Sequence, residues 1–156
     1  MIVWDEKAES FWKKVNLTAF VALVASPIVY AVIGYVVDVT PKGGGELDMM
    51  LYILLIIAVI QPAFARVIER FQIDAYRKNQ QTKMTLEQLY FNLAIIRIAF
   101  VDAIYLYGLL QVFLSAETIR MLYFYPIGIV WTFIYWPRKS GYEEFVIRME
   151  SNVPVI

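Results

Sequence analysis

The 156-residue sequence contains neither cysteine nor histidine. Without cysteine there is no disulfide, no thiolate nucleophile and no iron–sulfur ligand; without histidine the usual zinc sites and imidazole-ligated haem are also excluded. No metal or cofactor is therefore expected, and the chain is not expected to carry electrons itself. Charge of one sign is lacking too: Lys+Arg and Asp+Glu both number 14, so nothing in the net charge recommends nucleic acid. Charged residues are only 18% of the chain, against 60% hydrophobic and 16% aromatic. A soluble domain is roughly half apolar, and the surplus here points to lipid.

The apolar residues fall into four stretches of spanning or near-spanning length, which predicts one all-α integral membrane domain over residues 1–156 with no additional soluble domain. The expected spans are about 17–37, 49–65, 93–114 and 119–136, joined in an antiparallel up-down bundle. Before the first span, Val3, Trp4 and Phe11 recur near helical spacing, which suggests an N-terminal interfacial helix with Trp12 as an anchor at headgroup depth. Asp5, Glu6 and Glu9 interrupt the pattern of a cleavable signal peptide. Pro27 in span one, Pro62 in span two and Pro126 in span four each remove a backbone donor, so each is expected to kink its helix. Gly43, Gly44 and Gly45 read as a flexible turn, since no lysine and Ser/Thr follow at phosphate-loop spacing.

The second helix is expected to run on past the bilayer through its charged extension and to break near Asn79–Thr82. Thr85-Leu86-Glu87-Gln88 has the form of a capping box, which starts the third helix at about Leu86. Ser115–Thr118 is expected to turn tightly into the fourth span, and the tail after Pro137 to fold back as a short amphipathic segment.

Lysine and arginine then set orientation. Lys7, Lys13 and Lys14 precede span one; Arg66, Arg70, Arg77, Lys78 and Lys83 lie between spans two and three; Arg138, Lys139 and Arg148 follow span four. Only Lys42 and Arg120 fall on the opposite side. By the positive-inside rule both termini and the central loop are cytoplasmic, in a prokaryotic inner membrane.

Span three, LAIIRIAFVDAIYLYGLLQVFL, carries Arg97 near one end and Asp102 at its middle. A charge at the bilayer centre costs roughly 2.5–3.5 kcal/mol on insertion scales, so a compensating partner is expected. Matching depth across the helices puts Gln61 and Thr132 level with Arg97, and Ser26 and Tyr30 near Asp102. These five residues, Asp102, Arg97, Gln61, Tyr30 and Thr132, form the candidate intramembrane polar site. Arg97 and Asp102 are about 140° apart around their helix at roughly 100° per residue, so they are expected to face different partners. Asp102 either acts as hydrogen-bonded glue between helices or takes up and releases protons or a cation. Arg97 is close enough to the cytoplasmic face to snorkel.

Asp102-Ala103-Ile104-Tyr105-Leu106-Tyr107-Gly108-Leu109 resembles the ion-binding helix of rotary ATPase c subunits over about a dozen residues. The glycine-rich partner helix of such rings is missing, since Leu51–Ala65 has no glycine, and a rotor ring is not the reading that follows. Ile96-Arg97, Asp102, Gly108-Leu109 and Pro137-Arg138 carry a wider resemblance, to uncharacterised small bacterial four-span membrane proteins. That resemblance implies the four spans and supplies no activity.

With no nucleophile pair, nucleotide motif or ligand set, the chain is expected not to be an enzyme. The function expected is that of a non-catalytic subunit or assembly partner of a larger inner-membrane complex, an energy-converting one among the candidates. Its partners would be the lipid bilayer and other membrane subunits or copies of itself. The alternative is a small oligomeric transporter or proton or cation path with Asp102 as the titrating acid.

Overall fold

The computed structural model describes residues 6–38, 46–78 and 84–151, and within them the secondary structure is helical with no strand. Helix α1 (Glu6–Phe20) passes through a five-residue π-helical turn, Val21–Ala25, into α2 (Ser26–Val36). Pro27 explains the wide turn. It has no N–H for the carbonyl four residues back, and the ladder widens just ahead of it, with both the backbone N–H and the hydroxyl of Ser26 donated to the Val21 carbonyl. The anticipated interfacial helix is not a separate element, because α1 runs into the span without a break. Asn16 and Thr18, the polar residues at the junction, bond back to the Trp12 and Lys14 carbonyls four residues earlier and so stay inside the helix. Val3 and Trp4 lie outside the described residues.

Helix α3 (Glu46–Lys78) carries Pro62 in its interior and, as expected, continues well beyond the apolar run. The glycine turn at 43–45 and the break near Asn79–Thr82 lie outside the described residues. Helix α4 (Leu86–Ser115) begins at the capping box: the Gln88 amide donates to the Thr85 hydroxyl at 3.2 Å, and the Thr85 amide donates to the Gln88 side chain at 3.0 Å. It ends at Ala116, whose φ of 57° is left-handed.

After that turn the chain does not form the single helix expected over 119–136. It forms a 3₁₀ stretch, Thr118–Tyr123, and then a twelve-residue helix α5 (Phe124–Tyr135). Close approach accounts for the tighter winding: a Cβ at Gly108 would stand 3.2 Å from the Met121 carbonyl oxygen, so this stretch lies directly on the α4 backbone. Finally α6 (Lys139–Glu150) folds back, as its sequence suggested.

Three helices are long and apolar enough to cross a membrane: Glu6–Val36, Leu47–Lys78 and Leu86–Ser115. This is the composition of a multi-pass membrane protein. Helix α4 sits at the centre and packs against α1, α2, α3, α5 and α6. Its apolar residues are spread around its circumference, as a helix surrounded by neighbours requires. Tyr90 and Ala94 join Trp12, Val15, Tyr142 and Val146; Ile98, Val101 and Tyr105 join Ala19, Leu23 and Tyr135; Ile104 joins Leu51, Ala58 and Phe124.

Candidate functional site

Several polar side chains of the bundle interior form pairs between helices, whereas Gln111, fully buried on α4, has neither amide atom hydrogen-bonded among the described residues. At mid-height the Tyr30 hydroxyl of α2 donates to Asp102 Oδ2 of α4 at 3.2 Å, while Asp102 Oδ1 is buried with no hydrogen-bond partner among the described residues. One helical turn further along α4, Tyr105 and Thr132 share a hydrogen bond of 3.0 Å that ties α4 to α5. Tyr105 also packs edge-on to Tyr125, 5.2 Å between ring centroids. Its ring lies so close to α5 that only glycine fits opposite, since a Cβ at Gly128 would come within 2.5 Å of it.

The prolines of α2 and α3 are both read by tyrosines of α5. The Tyr125 hydroxyl donates to the Pro27 carbonyl at 2.6 Å, and the Tyr135 hydroxyl to the Pro62 carbonyl at 2.7 Å. A carbonyl has two lone pairs, so each can take a second donor. Gln61, next to Pro62, accepts from the Tyr107 hydroxyl and donates to the Phe100 carbonyl at 3.1 Å, bridging α3 and α4.

Arg97 does not reach for solvent alone. Its Nε and Nη2 donate to the two carboxylate oxygens of Glu69 on α3 at 2.5 and 2.7 Å, a fork-on-fork ion pair. The side chains are 34% and 10% exposed respectively, so the acid is the more deeply placed partner. Of the five residues singled out from sequence, the structure joins Asp102 with Tyr30. It brings Arg97 to neither Gln61 nor Thr132, which bond elsewhere. Ser26 turns back onto its own helix instead of toward Asp102.

Glu69 was hidden in sequence by its neighbours Arg66 and Arg70, which make the segment read as a solvated extension. A signal was nevertheless present. The buried positions of α3 (Leu51, Ala58, Pro62, Ala65) follow the seam facing α4, and the next steps of three or four residues along it land on Glu69 and Ile73, both buried.

The Arg97–Glu69 pair floors a cleft of about 370 Å³ at this end of the bundle, lined also by Arg66, Arg70 and Arg148 and by the apolar Ile73, Leu93, Phe145 and Met149. A second cleft shares Arg97, Tyr135 and Glu144 with it and reaches Arg138. The aromatic cluster beside it holds α6 in place: Tyr90 and Tyr142 pack with centroids 4.9 Å apart, and burial, followed by the charge of Glu87, pushes the Tyr142 phenol up. At the other end Arg120 joins Asp48 at 2.8 Å and Glu117 at 2.7 Å. Among the described residues no three acidic side chains gather where they could hold a metal ion. Searches against protein-family models, curated proteins and solved structures find no match.

Proposed function

We propose that the chain is a four-span protein of a prokaryotic inner membrane, with both termini cytoplasmic, acting as a non-catalytic subunit or assembly partner of a larger membrane complex. The observation that carries this reading is how the interior polar groups are used. Tyr30, Gln61, Glu69, Arg97, Tyr105, Tyr125, Thr132 and Tyr135 are each engaged with another helix, so these groups are used to specify packing. Helix α3 meanwhile turns Tyr52, Ile53, Ile56, Val59, Ile60 and Phe64 outward, apolar surface suited to lipid or to a neighbouring subunit.

The fourth crossing is supported by length. Six residues of 3₁₀ helix at about 2.0 Å and twelve of α-helix at about 1.5 Å reach roughly 30 Å, the thickness of a hydrocarbon core. Common sidedness of the termini is supported by the packing of Trp12 near the chain start against Tyr142 and Val146 near its end.

The alternative, an oligomeric transporter or proton or cation path, draws on one observation, the buried and unpartnered Asp102 Oδ1. Gentle detergent extraction followed by mass measurement of the intact assembly separates the two. Co-purifying chains at fixed stoichiometry, kept in an Asp102→Asn variant, are the expected result. A homo-oligomer alone, with a pH-dependent flux that Asp102→Asn abolishes, refutes the subunit reading.

A further inference from the structure

The cleft at the Arg97 end holds positive charge that bundle packing does not use. Glu69 neutralises Arg97, and Arg148 lies 3.8 Å from Glu144. Arg66 and Arg70 on α3 line the same cleft and have no carboxylate partner among the described residues; Arg66 instead meets the Tyr135 hydroxyl. Arg138, at the adjoining cleft, is likewise without a carboxylate.

Depth makes this charge informative. From Met49 to Arg66 on α3, and from Leu114 back to Arg97 on α4, the chain rises about 26 Å at 1.5 Å per residue. Both guanidinium groups therefore stand near the boundary where a hydrocarbon core of roughly 30 Å gives way to headgroups. The lining is two-sided in character. Arginine forks match phosphate oxygens bidentately, while Ile134, half exposed, and Phe145 offer apolar wall beside them. A volume of about 370 Å³ suits a polar headgroup and the root of its chains, not a whole lipid.

We propose that this cleft binds the phosphodiester headgroup of one anionic phospholipid, with Arg66 and Arg70 on the phosphate and an acyl chain lying along Ile134. Clustered basic side chains between spanning helices at headgroup depth are suited to such a ligand. The inference rests on the chain lying in a bilayer and does not depend on what it assembles with.

The test is native mass spectrometry of the purified full chain equilibrated separately with phosphatidylglycerol, phosphatidylcholine and inorganic phosphate. Phosphatidylglycerol should be retained about tenfold or more over phosphatidylcholine. Arg66→Gln with Arg70→Gln should remove that preference, and Lys13→Gln with Lys14→Gln, at the same end but outside the cleft, should leave it. Arg70→Glu, a single change at an exposed position, carries the same expectation if the double variant does not fold. Equal retention of the two lipids, an unchanged preference in the arginine variants, or an equal loss in the lysine variant overturns the proposal. Inorganic phosphate occupying the site as fully as the lipid overturns the lipid source. A chain that stays in solution without detergent overturns the membrane reading along with it.

Discussion

Removing one half of the Glu69–Arg97 pair should cost more when the arginine goes than when the acid goes. Breaking a fully buried ion pair by deleting one partner typically costs about 3–5 kcal/mol, because the remaining charge is stranded away from water. Arg97→Met strands Glu69, whose side chain is only 10% exposed, and should cost close to that range. Glu69→Gln strands Arg97, 34% exposed along the cleft, which can swing toward water on its long stem; a loss of about 2 kcal/mol is expected. The double variant leaves no charge to strand, so its loss should fall short of the sum of the singles by about 2 kcal/mol, within the range measured for groups in contact. Denaturant titration in detergent, followed by helical circular dichroism, gives all four stabilities of the cycle. Losses that add to within about 0.5 kcal/mol would falsify the claim that the two side chains act as one unit. Equal losses in the two single variants would refute the argument from exposure.

Gly128→Ala should destabilise by about 1–3 kcal/mol, since the Tyr105 ring in its way is fixed by Thr132 and Tyr125; Gly34→Ala, whose new methyl meets the sulfur of the unbranched Met121 side chain at 3.1 Å and needs only a few tenths of an ångström of give, should cost less in the same titration. Ala116→Gly should raise stability by up to about 1 kcal/mol by relieving a left-handed alanine, and no gain in the denaturation midpoint would count against that turn. Because the chain has no cysteine, single cysteines can report sidedness directly. Lys13→Cys and Lys139→Cys should be labelled by an impermeant maleimide from one face of sealed vesicles and Asp48→Cys from the other; labelling of positions 13 and 139 from opposite faces would sink the four-crossing arrangement.

Local signals were well written in the sequence where one residue type has one job. Thr85 and Gln88 announce the start of α4 because a threonine followed three residues later by glutamine satisfies two orphan amides at once. Pro27 announces a defect in span one, although a missing donor does not say whether the ladder will bend or widen. What sequence could not reveal depends on partners distant along the chain. The fourth apolar run reads as one helix, yet its first five residues tighten because Gly108 admits the Met121 backbone. Depth matching assigned Gln61 and Thr132 to Arg97 by height alone, and height leaves azimuth free. Glu69, four residues beyond Ala65 on the same seam, has both height and azimuth.

The three long helices are rods of 31, 33 and 30 residues, about 45–50 Å each, and a hydrocarbon layer of roughly 30 Å cannot contain them. Their surplus is gathered at one pole, around α6, whereas at the opposite pole α4 and the 3₁₀ stretch are joined through Ala116 and Glu117 alone. The described residues thus widen toward the pole that holds α6. In a bilayer crossed as proposed, an antibody, a protease or a soluble regulator reaching that pole would find broad helical surface to grip. One reaching the opposite pole would find, among the described residues, little more than the ends of the helices.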